Sequence, residues 1–173
     1  MMAKKEKAKQ SFELEQLKRV NFLNSFADAP EIMEQIFALC KKKTFKAGQS
    51  IISEGKLGDE LFIILSGTIE IVKSTLQNEP YTVTTLDASM GGVYVGELAL
   101  IDNDARSATV IAQTACECLV IARKDFLSFG DAHPEIGLRI TRYIARQIAA
   151  KLRKANQDVI TLFSALVEEI AGE

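Results

Sequence analysis

The sequence is poor in the residues that build disulfides and metal sites, with three cysteines and one histidine in 173 residues. An odd cysteine count does not form a closed disulfide framework. Cys116 and Cys118 alternate with Glu117 in a strand-like run, which favours a buried face because two thiolates lack the remaining ligands that zinc needs. His133, the lone histidine, lies beside Pro134 at an expected helix start. We therefore expect no metal.

Long apolar runs and a strong net charge are also missing. No segment approaches the roughly twenty apolar residues of a membrane span, and no apolar run follows the lysines near the start, so we expect a cytoplasmic protein without membrane contact. The net charge of −2 gives no general attraction for nucleic acid or anionic lipid. A binding arm is the less favoured interpretation of the early lysines, which are typical of a solvated, partly disordered terminus, at positions Lys4, Lys5, Lys7 and Lys9.

Apolar residues follow a helical period at the start of the chain and a strand pattern in its middle. Helical spacing covers residues 12–26, and Pro30 opens a second helix with the lysines 41–43 near its end. Glycine, Asp and Asn then separate short β-rich runs, at 51–53, 61–65, 68–72, 81–86, 108–111 and 116–121. Turns with unusual backbone angles are expected at Gly48, Gly55 and Gly67.

This pattern predicts a mainly β fold with flanking helices, built as an antiparallel jelly-roll β-barrel. The expected organisation is a helical segment at 1–43, the barrel at 44–122 and a second helical segment at 123–173. A short helical stretch at 97–102 interrupts the strands, and another at 124–131 follows them.

A long helix is expected from Pro134 onward. Its apolar stripe continues for more than thirty residues, at positions 136, 140, 144, 148, 152, 155, 159, 162, 163, 166 and 170. The stripe is longer than the surface that one small barrel covers, which favours a helix pair in a homodimer. The alternative is a helix that folds back on its own domain, with a bend near Asn156.

One segment combines groups that suit a ribose phosphate: Gly96-Glu97-Leu98-Ala99-Leu100, followed by Arg106-Ser107-Ala108-Thr109. Gly96 before a short helix offers backbone N–H groups to an anion, and the planar donor fork of Arg106 suits the same phosphate. Glu97 would be surplus negative charge unless it accepts hydrogen bonds from neutral hydroxyls such as those of ribose. The competing interpretation is a structural ion pair between Glu97 and Arg106.

This segment resembles the phosphate-binding cassette of cyclic-nucleotide-binding domains, the family that includes the ligand domain of the catabolite activator protein and the regulatory subunits of cyclic-AMP-dependent protein kinase. The glycine spacing of residues 45–67 is similar to that family's barrel pattern. The resemblance implies that Glu97 holds the ribose 2′-hydroxyl and that Arg106 pairs with the cyclic phosphate. The ligand-binding set that it implies is Gly96, Glu97, Leu98, Ala99, Arg106, Ser107 and Ala108.

Two features depart from the family's pattern. Family members commonly place an aromatic residue before the Gly-Glu pair, where this chain has Val95, with Tyr94 one position earlier. Lys151 and Leu152 stand at the positions we align with hydroxyl side chains that reach adenine in the catabolite activator. Other candidates to contact the base, with exposure to solvent as the competing interpretation, are Tyr143, Arg146 and Gln147.

The resemblance implies a receptor for cyclic AMP, with cyclic GMP as the other candidate, in which ligand binding repositions the C-terminal helices toward an unidentified downstream protein. No helix-turn-helix segment follows the long helix, so no DNA binding is expected from this chain. The motifs of an enzyme are missing too: a paired nucleophile and base, a metal-ligand set and a Walker-type loop. The alternative function is a scaffold or interaction module that keeps the barrel but binds no nucleotide.

Overall fold

The computed structural model describes residues 2–77 and 79–171. Two helices come first, α1 over Met2–Lys18 and α2 over Pro30–Leu39, with a 3₁₀ turn at Asn24–Phe26 between them. Pro30 lies in the first turn of α2 as predicted, where its missing N–H costs no helical hydrogen bond. The helix expected over 12–26 is wrong at its end, because α1 stops at Lys18 and turns follow.

The described part of the chain then forms eight strands, labelled in chain order: β1 Lys41–Phe45, β2 Ser50–Ile52, β3 Glu60–Ser66, β4 Thr68–Ser74, β5 Pro80–Asp87, β6 Tyr94–Val95, β7 Thr109–Ala112 and β8 Cys116–Ala122. The six predicted strands are confirmed as β2, β3, β4, β5, β7 and β8. Sequence reasoning missed the lysine-rich β1 and the two-residue β6. A 3₁₀ helix at Glu97–Leu100 confirms the predicted interruption, and α3 (Arg123–Ala132) and α4 (Pro134–Ala171) complete the chain.

The strands form two four-stranded antiparallel sheets. The first sheet has the order β1-β8-β3-β6 and the second has the order β2-β7-β4-β5. Antiparallel sheets with flanking helices are therefore confirmed, whereas closure into a barrel is not, because within the described residues each sheet keeps two free edges.

The lysines before β2 lie on the first sheet's edge and not at the end of α2, which corrects the sequence prediction. Lys42 pairs with Leu119 in the strand register. Its ammonium lies 2.7 Å from a carboxylate oxygen of the buried Glu13, and the Lys43 ammonium lies 2.7 Å from Glu60. These ion pairs hold α1 and β3 against the edge strand.

The early lysines lie within α1, so the backbone there is helical and the prediction of a partly disordered terminus is wrong for residues 2–18. Lys9 lies 3.2 Å from a carboxylate oxygen of Glu117. The predicted solvation of the Lys4, Lys5 and Lys7 side chains falls outside what the structure describes.

Strand β3 is buried on both faces. Leu61, Ile63 and Leu65 pack with residues of all four helices, whereas Phe62 and Ile64 face the second sheet. The alternation follows the two-residue period of a strand. The first sheet is therefore the middle layer between the helices and the second sheet.

The two cysteines of β8 share a buried face, as predicted. Cys116 and Cys118 both belong to the cluster between the sheets. Burial raises the pKa of the Cys118 thiol to about 12, so it stays protonated and behaves as an apolar core residue.

Helix α4 has an anchored half and an exposed half. Ile140 and Ile144 are only 2% and 1% exposed, whereas every residue from 151 to 170 is exposed. The helix continues through Asn156 without folding back on its own domain. Among residues 2–77 and 79–171, no helix is both long and apolar enough to cross a membrane.

Helices α3 and α4 cross at two glycines. A Cβ atom on Gly137 would lie 2.8 Å from the Cα atom of Gly130, closer than real Cβ contacts occur. The absence of side chains at this crossing lets the two backbones approach closely and sets the start of α4 against α3.

The turn glycines share a left-handed backbone but differ in the space around them. Gly48, Gly55 and Gly67 all have positive φ, as predicted. At Gly67, with φ of +94°, a Cβ atom would lie 2.4 Å from the Ala115 carbonyl oxygen, whereas at Gly48, with φ of +83°, it would meet nothing within 4 Å.

Replacing Gly48 with Ala should lower the free energy of unfolding by about 1 kcal/mol, the cost of a left-handed backbone. Gly67→Ala should lose that amount and roughly 1–3 kcal/mol more, because the methyl group has no space. Urea titrations of both variants measure the difference. Equal losses would mean that the Ala115 contact relaxes without cost.

Candidate functional site

A cavity of about 730 Å³ lies between the second sheet, the 3₁₀ helix and α4. All seven residues of the predicted ligand-binding set line it: Gly96, Glu97, Leu98, Ala99, Arg106, Ser107 and Ala108. Four further wall residues stand at positions that the sequence analysis aligned with the family's pocket: Tyr94, Val95, Lys151 and Leu152. Sequence reasoning did not assign the rest of the wall, which consists of Ile52, Ile71, Leu86, Asp102, Asp104, Ala105, Val110, Ile148 and Ala155. The volume lies within the range of about 300–1,000 Å³ that small-molecule sites occupy.

Gly96 turns the chain into the 3₁₀ helix with a left-handed backbone, at φ of +81°. A Cβ atom there would lie 2.7 Å from an Arg106 guanidinium nitrogen and 2.9 Å from the Glu60 carbonyl oxygen. Glycine is therefore required both by conformation and by space. It brings the amino end of the 3₁₀ helix to the same wall as Arg106.

Arg106 is held mainly by backbone groups. Its Nη2 donates to the Glu60 carbonyl at 2.6 Å and its Nη1 donates to the Gly96 carbonyl at 3.4 Å. Its own N–H donates to the Lys56 carbonyl at 2.9 Å. Gly58 completes the slot, since a Cβ atom there would lie 2.6 Å from Nε of Arg106. These contacts fix the guanidinium and leave its remaining donors for a ligand.

The charge of Arg106 reflects two opposing influences. Partial burial lowers the pKa of the guanidinium, and the nearby carboxylates of Glu60, Asp59, Asp102 and Glu97 act to raise it. An arginine stays charged at neutral pH. The wall therefore carries a partly desolvated cation.

Glu97 forms an ion pair with α4 and not with Arg106. Its Oε1 lies 2.6 Å from Nζ of Lys151, and the Glu97 side chain is 15% exposed against 70% for Lys151. Among the residues that the structure describes, no carboxylate lies within ion-pair distance of Arg106, so the structural pair of Glu97 with Arg106 is not seen. Helical spacing places Lys151 one turn after Ile148, but no sequence pattern predicts its pairing with a residue 54 positions earlier.

The aromatic residue commonly found directly before the Gly-Glu pair stands one position earlier in this chain, at Tyr94. Tyr94 lines the cavity and packs edge-on against Phe22, with ring centroids 5.0 Å apart. Burial, with smaller effects of Tyr143 and Glu97, raises the pKa of the Tyr94 phenol to about 12. The hydroxyl is therefore protonated at neutral pH. Val95, at the position that is commonly aromatic, is buried between the sheets.

The long helix contributes apolar side chains and one cation to the cavity. Ile148, Leu152 and Ala155 line it beside Lys151. The three alternative candidates for contacting the base do not line the cavity in the described structure; they are Tyr143, Arg146 and Gln147. Residues 2–77 and 79–171 hold no group of three or more His, Cys, Asp or Glu side chains placed to bind a metal.

Comparison with known proteins matches the part of the chain that contains the predicted ligand-binding set. Residues 42–133 match the cyclic nucleotide-binding domain. Glutaminase 1 of Bradyrhizobium diazoefficiens is 33% identical over 132 residues, which are 76% of this chain and 20% of that protein. This chain therefore spans about a fifth of the length of that relative.

Solved structures have the same fold. The catabolite activator protein of Thermus thermophilus is similar with a TM-score of 0.68 and 26% identity, over 78% of this chain and 60% of that one. The regulatory domain of Toxoplasma gondii PKA, co-crystallised with cAMP, gives a TM-score of 0.63 and 26% identity, over 79% and 49%. Since the sequence match covers more than half of its residues, the chain belongs to the cyclic nucleotide-binding domain family.

Proposed function

We propose that this chain is a receptor for cyclic AMP. The observation that carries the proposal is the partly buried Arg106 guanidinium, which is held by carbonyl oxygens on the wall of a 730 Å³ cavity and has donors to spare. A cation fixed in this way matches a singly charged cyclic phosphate. The co-crystal of cAMP with a structural relative supports the choice of nucleotide, and cyclic GMP is the comparison ligand.

The remaining residues of the ligand-binding set contact different parts of the nucleotide. Gly96, Leu98 and Ala108 are assigned to the phosphate through their backbone N–H groups, with the Ser107 hydroxyl as a further donor; Ala99 lines the same wall, but its N–H donates to the Gly96 carbonyl at 3.2 Å. Oε1 of Glu97 accepts a hydrogen bond from Lys151, and the second carboxylate oxygen accepts a hydrogen bond from the ribose 2′-hydroxyl.

Ligand binding repositions α4 through Glu97. The Lys151–Glu97 pair at 2.6 Å is a direct link between the helix and the cassette, and Leu152 lies on the cavity wall. A ribose hydroxyl that donates to the second oxygen of Glu97 draws on the same negative charge that Lys151 binds through Oε1. The nucleotide can shift the helix only to the extent that it binds one arrangement more tightly.

The same proposal covers the chain's regulatory role, its location and its pairing with a second copy. The chain acts as a regulatory module without catalysis or DNA binding, in the cytoplasm, and pairs with a second copy through α4. The proposed division is 1–43, 44–122 and 123–173, and its first boundary falls inside β1, which spans Lys41–Phe45. Residues 1, 78, 172 and 173 lie outside the described structure.

Arg106→Ala should weaken cyclic AMP binding by about 2–5 kcal/mol, because the phosphate loses its charge-assisted partner. Calorimetric titration measures the loss. Arg142→Ala, which removes an exposed arginine of α4, is the matched control and should bind like the unaltered chain. Thermal melting verifies that both variants fold, and unchanged affinity in a folded Arg106→Ala protein would contradict the phosphate role.

Glu97→Gln should weaken cyclic AMP by about tenfold and its 2′-deoxy analogue far less, because the analogue lacks the hydroxyl that the carboxylate accepts. Parallel titrations of both ligands give the two ratios. Equal weakening would make Glu97 a structural residue.

Lys151→Ala should raise hydrogen exchange of the α4 amides around residues 148–155 in the ligand-free protein, because the link to Glu97 is lost. Added cyclic AMP should then change exchange there less than it does in the unaltered chain. Arg146→Ala, on the same helix but outside the cavity wall, is the control. Exchange that matches this control would show that the ion pair does not hold the helix.

A further inference from the structure

Helix α4 contains a long run of positive charge with no acidic residue in it. Residues 136–157 include six cationic side chains and no Asp or Glu, in a chain whose net charge is −2. The six are Arg139, Arg142, Arg146, Lys151, Arg153 and Lys154. The remainder of the chain is therefore acidic as a whole, and this part of α4 is where positive charge is not balanced within its own element.

Four of the six residues form one stripe along the helix. Their spacing of three, four and seven positions places their side chains on the same side of α4. These residues, which we call the arginine stripe, are Arg139, Arg142, Arg146 and Arg153. All four are exposed, whereas the opposite side of the helix buries Ile140 and Ile144. The stripe is about 21 Å long.

Within the part of the chain that the structure describes, the arginine stripe forms no ion pair. The ion pairs found there use lysines, at positions 9, 18, 42, 43 and 151. Arg139 packs instead over the Phe26 ring, with its guanidinium carbon 4.7 Å from the ring centroid, and a stacked guanidinium keeps the donors at its edge free. Like charges three and four positions apart repel each other. The stripe is therefore stabilised by an anion from outside the domain.

The residue types in the stripe indicate the kind of anion. The planar fork of arginine binds a carboxylate or a phosphate through two hydrogen bonds. Between Arg146 and Arg153, the next helical turn has Ala149 and Ala150 in place of a further cation. Small side chains let a second helix approach α4 closely, whereas a nucleic-acid backbone gains nothing from methyl groups. A helix with carboxylates fits this surface better than a polynucleotide does.

An anionic membrane fits the stripe less well. Helices that lie on membranes insert large apolar residues into the lipid, and along residues 136–148 the apolar side of α4 already packs into the helical layer, as Ile140 and Ile144 show. The same burial excludes capture of this segment in an apolar groove, the way in which basic amphipathic peptides are bound. Attraction between opposite charges remains, and it requires carboxylates spaced along the length of the stripe.

We propose that the arginine stripe is the docking surface for an antiparallel acidic helix of the downstream protein. The proposal names the chemistry of that partner and rests on the proposed regulatory role of α4. The cavity takes its wall from a different side of the helix, at Ile148, Lys151, Leu152 and Ala155. Nucleotide and partner can therefore be bound together, and movement of α4 on nucleotide binding moves the docked helix.

A synthetic helical peptide tests the docking. Built from Ala and Gln, it has four glutamates separated by seven, four and three positions, the order that meets the stripe in antiparallel helices. An isomer of the same composition has its glutamates distributed around the helix. Fluorescence anisotropy should show about tenfold tighter binding of the spaced peptide at low salt, and weaker binding as salt increases. Equal affinity of the two peptides would overturn the proposal.

Charge reversal locates the bound peptide. Arg142→Glu with Arg146→Glu should abolish the preference for the spaced peptide, and Arg142→Gln with Arg146→Gln repeats the test without added acidic charge. Lys41→Glu with Lys46→Glu is the matched control, because it changes the net charge equally at exposed residues outside the described ion pairs. The control should keep the preference. Equal loss in both charge-reversed proteins would mean that net charge alone decides, which refutes the stripe.

Two further probes cover the other occupants, and cyclic AMP separates this proposal from the receptor function. Vesicles of equal parts phosphatidylcholine and phosphatidylserine, or a short DNA duplex, would overturn the acidic helix if they bind more tightly than the spaced peptide and lose binding in Arg142→Glu with Arg146→Glu. Cyclic AMP should bind this variant as it binds the unaltered chain. Failure of the peptide with intact cyclic AMP binding refutes the docking surface alone, and the converse refutes the receptor alone.

Discussion

Burial of the first sheet on both faces is the constraint on which the rest of the structure depends. Strands β3 and β8 send alternate side chains to the helices and to the second sheet, so neither layer can be removed without exposing a row of apolar residues. The same strand β3 supplies the Glu60 carbonyl that holds Arg106. Ile140 and Ile144 of α4 pack into the helical layer against it. The core therefore sets the distance between the cation and the helix that closes the cavity.

The site separates positive from negative charge by giving each side chain a different partner. Arg106 is bound by neutral carbonyl oxygens, so its charge is not cancelled by a carboxylate. Glu97 is compensated by Lys151 from a different element. A neutral contact preserves the field of the guanidinium for an anionic ligand, whereas an ion pair with Glu97 would have consumed it. The cost is that Glu97 depends on the position of α4, which links the charge balance of the cavity to the helix.

Much of the fold was predictable because its signals are local. Six strands, both short helices and the start of α4 follow from periodicity, proline and glycine. The cassette was found because Gly96 and Arg106 are close in sequence and in space. Strand β1 was not predicted because three lysines on a solvent-facing edge show no apolar alternation. The end of α1 at Lys18 was not predicted because apolar residues continue at helical spacing beyond it. The Lys151–Glu97 pair joins residues 54 positions apart, and no local pattern reports such a contact. Sheet closure was over-predicted for the same reason, since a strand pattern does not specify which edges meet.

In the proposed repositioning of α4, the glycine crossing with α3 is the pivot of the long helix. Gly137 touches Gly130 near the start of α4, and the helix continues to Ala171, about 50 Å beyond this fulcrum. Lys151 lies less than halfway between Gly137 and the end of the helix. A rotation of about 6° around the fulcrum moves the far end by about 5 Å, the length of one helical turn. In the proposed repositioning of α4, a displacement of an ångström or two at the cavity would therefore correspond to a larger displacement at the end of the helix.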